Sequence, residues 1–309
     1  MQLALVFPGQ GSQSIGMMNG YEGLPEIAQT FREASEILGQ DLRKLVEEGP
    51  AEQLNQTVNT QPIMLTAGTA VYRAWRALGG RAPSALAGHS FGEYTALVAS
   101  GALSFADTLP LVRFRAQVMQ DAVPEGTGAM AVILGLDDTA VLQVCREAAH
   151  GQVLEAVNLN SPGQIVIAGD KEAVLRGCDV AKVHGAKRAM LLAVSVPAHC
   201  ALMRPAAERM RERLASIEVA VPSIPVIQNA DVKSYGDAQS IKDALVRQLH
   251  SPVRWIETIQ RFARDGIDSV AECGPGKVLG GLTKRIDSKL NSITFTDAAS
   301  MRAALAQFH

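Results

Sequence analysis

Alternation between short apolar runs and helical periodicity constrains the fold of this chain more than any other feature. Residues 2–7 read as a continuously apolar strand, as expected where both faces are buried, and Pro8 to Gly16 then form a glycine-rich turn. Helical patterning follows from about Pro25, and a further helix is expected from Thr60, with Pro62 just inside its start, to the glycines at 79 and 80. SALAGHS at 84–90 reads as a second strand running into a helix. Ser104, three residues before Asp107, marks the start of the next helix, inside which Pro110 predicts a kink or a later true start. Beyond residue 197 the chain continues with strand IPVIQN, helices around 239–249 and 253–265, strand SVAEC, the Gly274-Pro275-Gly276 turn and a helix through KVLGGLTKRI. Alternation of this kind implies a mainly parallel sheet with helices on both faces.

Residues 126–196 break that rhythm. AMAVILG is strand-like, DDTAVLQVCREAA helical, VLEAVNLN and QIVIAGD are strands joined at Ser161-Pro162-Gly163, KEAVLRGCDVAKVHG is helical and RAMLLAVSV is a strand. The order is βαββαβ, the ferredoxin-like arrangement. The expected architecture is a large α/β domain built from residues 1–125 and 197–309, interrupted by a small ferredoxin-like domain over 126–196. A length of 309 residues suits this division, being more than one compact core usually holds, and an apolar share of 47% is ample for both interiors.

The charge balance narrows the partners. With 29 basic and 31 acidic residues the chain lacks the bulk field of a nucleic-acid or membrane-surface protein, so a charged partner must be met by a local patch. Cys145, Cys178, Cys200 and Cys273 form no Cys-x-x-Cys pair, which points to free thiols in a reducing compartment. No clustered ligand set calls for a metal or a bound cofactor. The first apolar run ends at Phe7 and follows no basic leader, so a cytoplasmic location is expected.

Gly88-His89-Ser90-Phe91-Gly92 lies where the second strand meets its helix. A serine raised on such a strand-to-helix turn is the nucleophile elbow of α/β-hydrolase-like folds, and its small neighbours let the hydroxyl point into a site. A serine hydroxyl needs a base, and histidine titrates in the useful range. His309 is the terminal residue, His150 and His184 fall at helix ends, His250 follows an exposed-looking helix, and His89 projects away from its neighbour around the turn. His199 sits where the chain leaves the insert, a frequent place for a cleft; packing residue and catalytic base are both open readings of it. No acid occupies the hydrolase order between Ser90 and His199, so a dyad or a histidine oriented by a carbonyl is expected. The Gly9-Gln10-Gly11 turn is a tight turn or the source of an oxyanion-hole amide, and the Walker spacing of a phosphate loop is missing. Arg113 and Arg115 lie on the helix after the elbow helix; each is either a solvated charge or a clamp for a substrate carboxylate.

Taken together, VFPGQGSQ, TQP at 60–62, GHSFGEY, VRFRAQVMQ, NLNSPGQIVIAG, VSVPAHCALM, RQLHSPVRW and ECGPGKVLGGLTKRI, in that order to about residue 290, resemble the malonyl-CoA:acyl carrier protein transacylases of bacterial fatty acid synthesis. The resemblance implies ping-pong transfer of malonyl from malonyl-CoA to the phosphopantetheine thiol of acyl carrier protein. Ser90 would be the nucleophile and His199 the base, with the backbone amides of Gln10 and Phe91 as oxyanion hole. Arg115, not Arg113, would hold the malonyl carboxylate. A main-chain carbonyl in the segment of Gln248 would orient His199, and Gln61 and Asn160 would line the site. Two departures from the family pattern are Phe91, where a smaller aliphatic residue is common, and Pro110, five residues before Arg115.

The same elbow and histidine would serve a serine hydrolase or thioesterase, and the same transferase chemistry would serve malonate decarboxylase or a polyketide pathway. A non-catalytic carrier-docking subunit is opposed by the intact Ser90, His199 and Arg115 set. Lys182, Lys187, Arg188, Lys277, Lys284 and Arg285 are read either as flanks of the cleft that attract an acidic carrier or as ordinary solvated charge.

Overall fold

The computed structural model describes residues 2–194 and 196–308; Met1, Ser195 and His309 lie outside the described residues. Strand β1 (Leu3–Phe7) is buried along its whole length, so its apolar run is continuous and not alternating. It feeds a loop and four helices: α1 (Pro25–Leu38), α2 (Leu42–Glu48), α3 (Ala51–Leu54) and α4 (Thr57–Ala77). Pro25 opens α1 and Gly39, at φ 61°, closes it, the asymmetry expected from a proline's missing N–H and a glycine's freedom in the left-handed region. Helix α4 begins at Thr57, earlier than the proline suggested, and Pro62 lies in its second turn. The early start is supported by side chains: Asn59 Nδ2 donates to Gln53 O at 2.9 Å and Thr60 Oγ1 to Leu54 O at 2.6 Å.

Strand β2 (Ala85–Gly88) leads into α5 (Gly92–Ala99), and α6 (Phe105–Ala122) follows. Ser104 caps α6 by accepting the Asp107 N–H at 3.0 Å. The helix passes through Pro110 as one element, so the later start does not occur.

The interrupting segment is β3 (Gly128–Leu134), α7 (Asp138–Ala149), β4 (Leu154–Ser161), β5 (Gln164–Asp170), α8 (Lys171–Val183) and β6 (Arg188–Leu191). Strand β6 stops short of the expected 188–196 run. These strands form a separate antiparallel sheet in the order β4-β5-β3-β6. One face, with Ala131, Ile133, Ile165 and Ile167, packs under α7 and α8; the other, with Met130, Val157, Val166 and Ala168, packs with Cys200.

The chain then forms α9 (Arg204–Ala215), β7 (Val226–Ile227), α10 (Ala238–Gln248), α11 (Trp255–Arg264), β8 (Ser269–Glu272), α12 (Val278–Ile286), β9 (Asn291–Thr294) and α13 (Ala298–Gln307). The main sheet is parallel, with order β7-β2-β1-β8-β9. Leu3, Leu5 and Phe7 belong to one core and Ala4 and Val6 to another, because alternate side chains of β1 point to opposite helical layers. Beyond the carboxyl ends of β1 and β2, Gln10, His89 and Ser90 line a cavity with Met130 and Asn158 of the antiparallel sheet, the position where ligands bind in open parallel sheets.

Candidate active site

The elbow forms because glycine is required on both sides of Ser90. A Cβ on Gly88 would stand 1.9 Å from the carbonyl carbon of Gly92, and one on Gly92 would stand 2.4 Å from the carbonyl oxygen of Phe7. Strand, turn and helix thus close to a distance that only missing side chains permit. Ser90 itself has φ 54°, in the left-handed region that a non-glycine residue adopts only when its surroundings enforce it.

Two residues that are far apart in sequence complete a proton path. Ser90 Oγ lies 2.7 Å from His199 Nε2, and His199 Nδ1 lies 2.8 Å from the carbonyl oxygen of Gln248. A carbonyl only accepts, so Nδ1 carries the hydrogen and Nε2 is left to accept from the serine hydroxyl. His199 is held at φ 67°, and its backbone N–H donates to Leu249 O at 3.0 Å. The orienting group expected in place of an acid is therefore a backbone carbonyl. Burial, then the nearby positive charge of Arg115, lower the His199 pKa from 6.5 to about 3, so the ring rests neutral.

Arg115 is the deeper of the two candidate arginines. It is 1% exposed; Nη1 donates to Gln61 Oε1 and Nη2 to Gln248 Oε1, both at 2.9 Å, while Nε has no protein acceptor among the described residues. Its guanidinium also stands 5.7 Å from the centre of the Tyr94 ring. Arg113, two positions away and so on another side of α6, turns to Leu38 O at 3.4 Å and to the Gln40 side chain. Gln248 Nε2 donates to Ser90 O at 3.0 Å, so one glutamine touches the backbone of Ser90, the histidine and the cation. Gln61, on α4, holds the arginine through Oε1. Asn160 meets His89 Nε2 through Oδ1 at 2.8 Å and so joins the antiparallel sheet to the elbow.

Gln10, Gly11, His89, Ser90, Met130 and His199 line a cavity of about 330 Å³ between the two sheets. A second cavity, about 270 Å³, shares Gln10, His89 and Leu192 with the first and reaches Asn160 and Val278. Among the described residues the N–H groups of Gln10 and Phe91 have no protein acceptor. Also among them, no three His, Cys, Asp or Glu side chains gather as a metal site would need, and no helix is long and apolar enough to cross a membrane. All four cysteines are buried and free.

A model of the acyl transferase domain matches residues 4–300. The chain belongs to this acyl transferase family. It is 53% identical over 305 residues to the malonyl CoA-acyl carrier protein transacylase of Escherichia coli (strain K12), covering 98% of this chain and 99% of that protein. Among solved structures, the acyl-carrier-protein S-malonyltransferase of Burkholderia pseudomallei 1710b is 56% identical with a TM-score of 0.98, covering 99% of this chain and 100% of its own. A malonyl-transacylase solved in complex with its type II PKS acyl-carrier protein is 52% identical, also with a TM-score of 0.98 and the same coverage.

Two side chains of this acyl transferase site escaped the sequence reading. Asn229 accepts the Ser90 N–H, and Glu93 receives hydrogen bonds from Asn229. The available signals were a polar residue at the carboxyl end of strand IPVIQN and the one charged residue in the otherwise apolar GEYTALVA helix. Burial raises the Glu93 carboxyl from 4.5 to about 8, against the opposing pull of the hydrogen bonds from Asn229. The basic set divides as well. Lys182 pairs with Asp179 at 2.9 Å on α8, which covers the sheet face turned away from the cavity, so it does not flank the cleft. Arg285 reaches Gln164 at 2.6 Å, and exposed Lys277 adjoins Val278 of the second cavity.

Proposed function

We propose that this chain transfers malonyl from malonyl-CoA to the phosphopantetheine thiol of acyl carrier protein for fatty acid synthesis, through an ester on Ser90. The observation that carries the reading is a serine–histidine pair tied through Gln248 to a buried arginine, in a chain similar over nearly its whole length to named malonyl transacylases. His199 Nε2 takes the Ser90 proton as Oγ attacks the thioester carbonyl. The N–H groups of Gln10 and Phe91 receive the developing oxyanion. Collapse expels the coenzyme A thiolate, which takes the proton back from His199. In the second half, the carrier thiol gives its proton to His199 and attacks the malonyl-serine ester, and Ser90 leaves with that proton.

Arg115 pairs with the malonyl carboxylate. A buried guanidinium with no carboxylate bonded to it is costly to leave unpaired, and a substrate anion offsets that cost. Gln61 and the Gln248 side chain aim the fork, while Asn160 and His89 line the approach. Coenzyme A enters as a substrate, and no bound cofactor takes part.

The architecture fits an α/β-hydrolase-like large domain of residues 1–125 and 197–309 carrying a ferredoxin-like insert over 126–196, and the reaction is placed in the cytoplasm. Lys187, Arg188, Lys277, Lys284 and Arg285 are exposed and serve as the docking surface for the acidic carrier.

Brief exposure to malonyl-CoA, followed by intact-protein mass, tests the assignment. The expected adduct is absent in Ser90→Ala, survives buffer and is discharged by thiol-bearing carrier protein. Loss in buffer as fast as to the carrier would make the chain a hydrolase. The relative solved with a type II PKS carrier supplies a second acceptor for the same assay, and faster discharge to a polyketide carrier would move the reaction to that pathway.

A further inference from the structure

Ser90 is held in an unfavourable backbone conformation, and the structure contains a device that enforces it. Strand β7 pairs with β2 in the register Leu86–Val226 and Ala87–Ile227, which brings Asn229, two residues past β7, beside the turn after Gly88. The Asn229 carboxamide spans that turn. Its Oδ1 accepts the Ser90 N–H at 2.7 Å, and its Nδ2 donates to Gly88 O at 2.6 Å. The peptide groups on either side of His89 are therefore fixed by one side chain.

Glu93 sets which way that carboxamide faces. Its Oε2 accepts both the Asn229 backbone N–H, at 2.6 Å, and Asn229 Nδ2. With an acceptor on each side of Nδ2 and a donor facing Oδ1, only one of the two amide orientations satisfies the site. Glu93 is fully buried in the first turn of α5, and Asn229 is 1% exposed, so water offers neither a substitute partner. Because Asn229 takes the Ser90 N–H, that donor is withdrawn from the oxyanion, and the hole must use its neighbours.

We propose that Asn229 and Glu93 are positioning residues for the nucleophile: Asn229 clamps the elbow with Ser90 in its left-handed conformation, and Glu93 acts by holding Asn229. This rests on Ser90 being the acylated residue. The clamp operates on the geometry of attack, not on the grip of Arg115 on the substrate, so it belongs to the rate of acylation.

Single-turnover acylation by malonyl-CoA, followed by quenched intact mass, separates these roles. Asn229→Ala is expected to acylate at least tenfold more slowly, with the half-saturating malonyl-CoA concentration within twofold of the parent. Glu93→Ala should be slowed comparably, Glu93→Gln, which still offers an oxygen, should recover most of that loss, and the Glu93→Ala/Asn229→Ala pair should be no slower than Asn229→Ala alone. Should Asn229→Ala not accumulate as folded protein, Asn229→Asp keeps the acceptor for Ser90 N–H, loses the donor to Gly88 O, and is expected to be slowed. A parent-like rate in whichever Asn229 variant folds, multiplicative losses in the pair, or a parallel rise in half-saturation would overturn the clamp. Absence of any Ser90 adduct in the parent enzyme would instead strike the functional reading beneath it.

Discussion

Arg115 Nη2 and Gln248 Oε1 meet at 2.9 Å, and the same carboxamide donates from Nε2 to the Ser90 carbonyl at 3.0 Å. The buried cation and the backbone of the elbow serine therefore share one hydrogen-bonding side chain. Arg115→Ala is expected to lower kcat/KM for malonyl-CoA about 10- to 100-fold, the range for losing hydrogen bonds to a charged group. Acetyl-CoA offers no carboxylate, so its use should change little or rise. The ratio of the two kcat/KM values measures the role, and an unchanged ratio would refute it.

The same guanidinium acts on His199 at a distance. Burial first and Arg115 second hold the imidazole pKa down at about 3, so the ring stays neutral and able to accept the serine proton throughout the ordinary range. The acylation rate should therefore be flat from about pH 8 down to pH 5, with no loss centred on the usual histidine value of 6.5. In Arg115→Ala the positive neighbour is gone, the histidine pKa rises, and the acid limb moves upward. A parent enzyme losing half its single-turnover rate near pH 6.5 would contradict this placement of the ring.

Burial leaves a signature in stability as well. The Glu93 carboxyl is pushed up to about 8, so the folded protein keeps a proton there that the unfolded chain releases near 4.5. Folding is then favoured at low pH, and stability falls as pH rises from about 5 through 8. The groups facing Glu93 are Asn229, Gln248, Asp231 and Arg115; Asp231 adds to the upward shift, and Arg115 with the two amides opposes it. Urea midpoints at pH 6 and pH 9 should converge in Glu93→Gln relative to the parent, apart from the similar slope that Glu272, raised by burial to about 7, retains. Equal pH dependence in parent and variant would show that Glu93 is ionised throughout.

Strands buried on both faces leave continuous apolar runs, which is why β1 and β2 and the alternation around them were legible in the sequence. The insert was legible because its hydrophobic period changes between 2 and 3.6 within short segments. Elements with little apolar surface were not: α9 carries its charges over most of its surface, and edge strand β9 has no fully buried residue. Strand β7 is two residues long, where IPVIQN suggested six, and Asn229 beyond it holds the elbow. The Ser90 and His199 pairing could be anticipated from residue chemistry and the family resemblance. Glu93 with Asn229 could not, since their contact joins residues 136 apart and depends on the β2–β7 register.

Gly88 and Gly92 offer the most direct test of the elbow. A methyl group at Gly88 would meet backbone of Gly92 at 1.9 Å, and one at Gly92 would meet Phe7 O at 2.4 Å; neither obstacle is a side chain that can swing aside. Relief requires moving α5 away from β1 and β2, which carries Ser90 from His199 and breaks the 2.7 Å contact. Gly88→Ala is therefore expected to lose more than about 1 kcal/mol of stability, beyond the usual penalty for an incompatible glycine replacement. Its malonyl-serine adduct should form at least 100-fold more slowly, since small misplacements of a reacting group have effects of that order. Gly101→Ala is the control: φ there is 76° and nothing lies within 4 Å of the added methyl, so it carries the conformational penalty without the collision. Stability loss in both variants with slow acylation only in Gly88→Ala would assign the effect to the elbow, and equal acylation rates would show that the close approach is not what positions the serine.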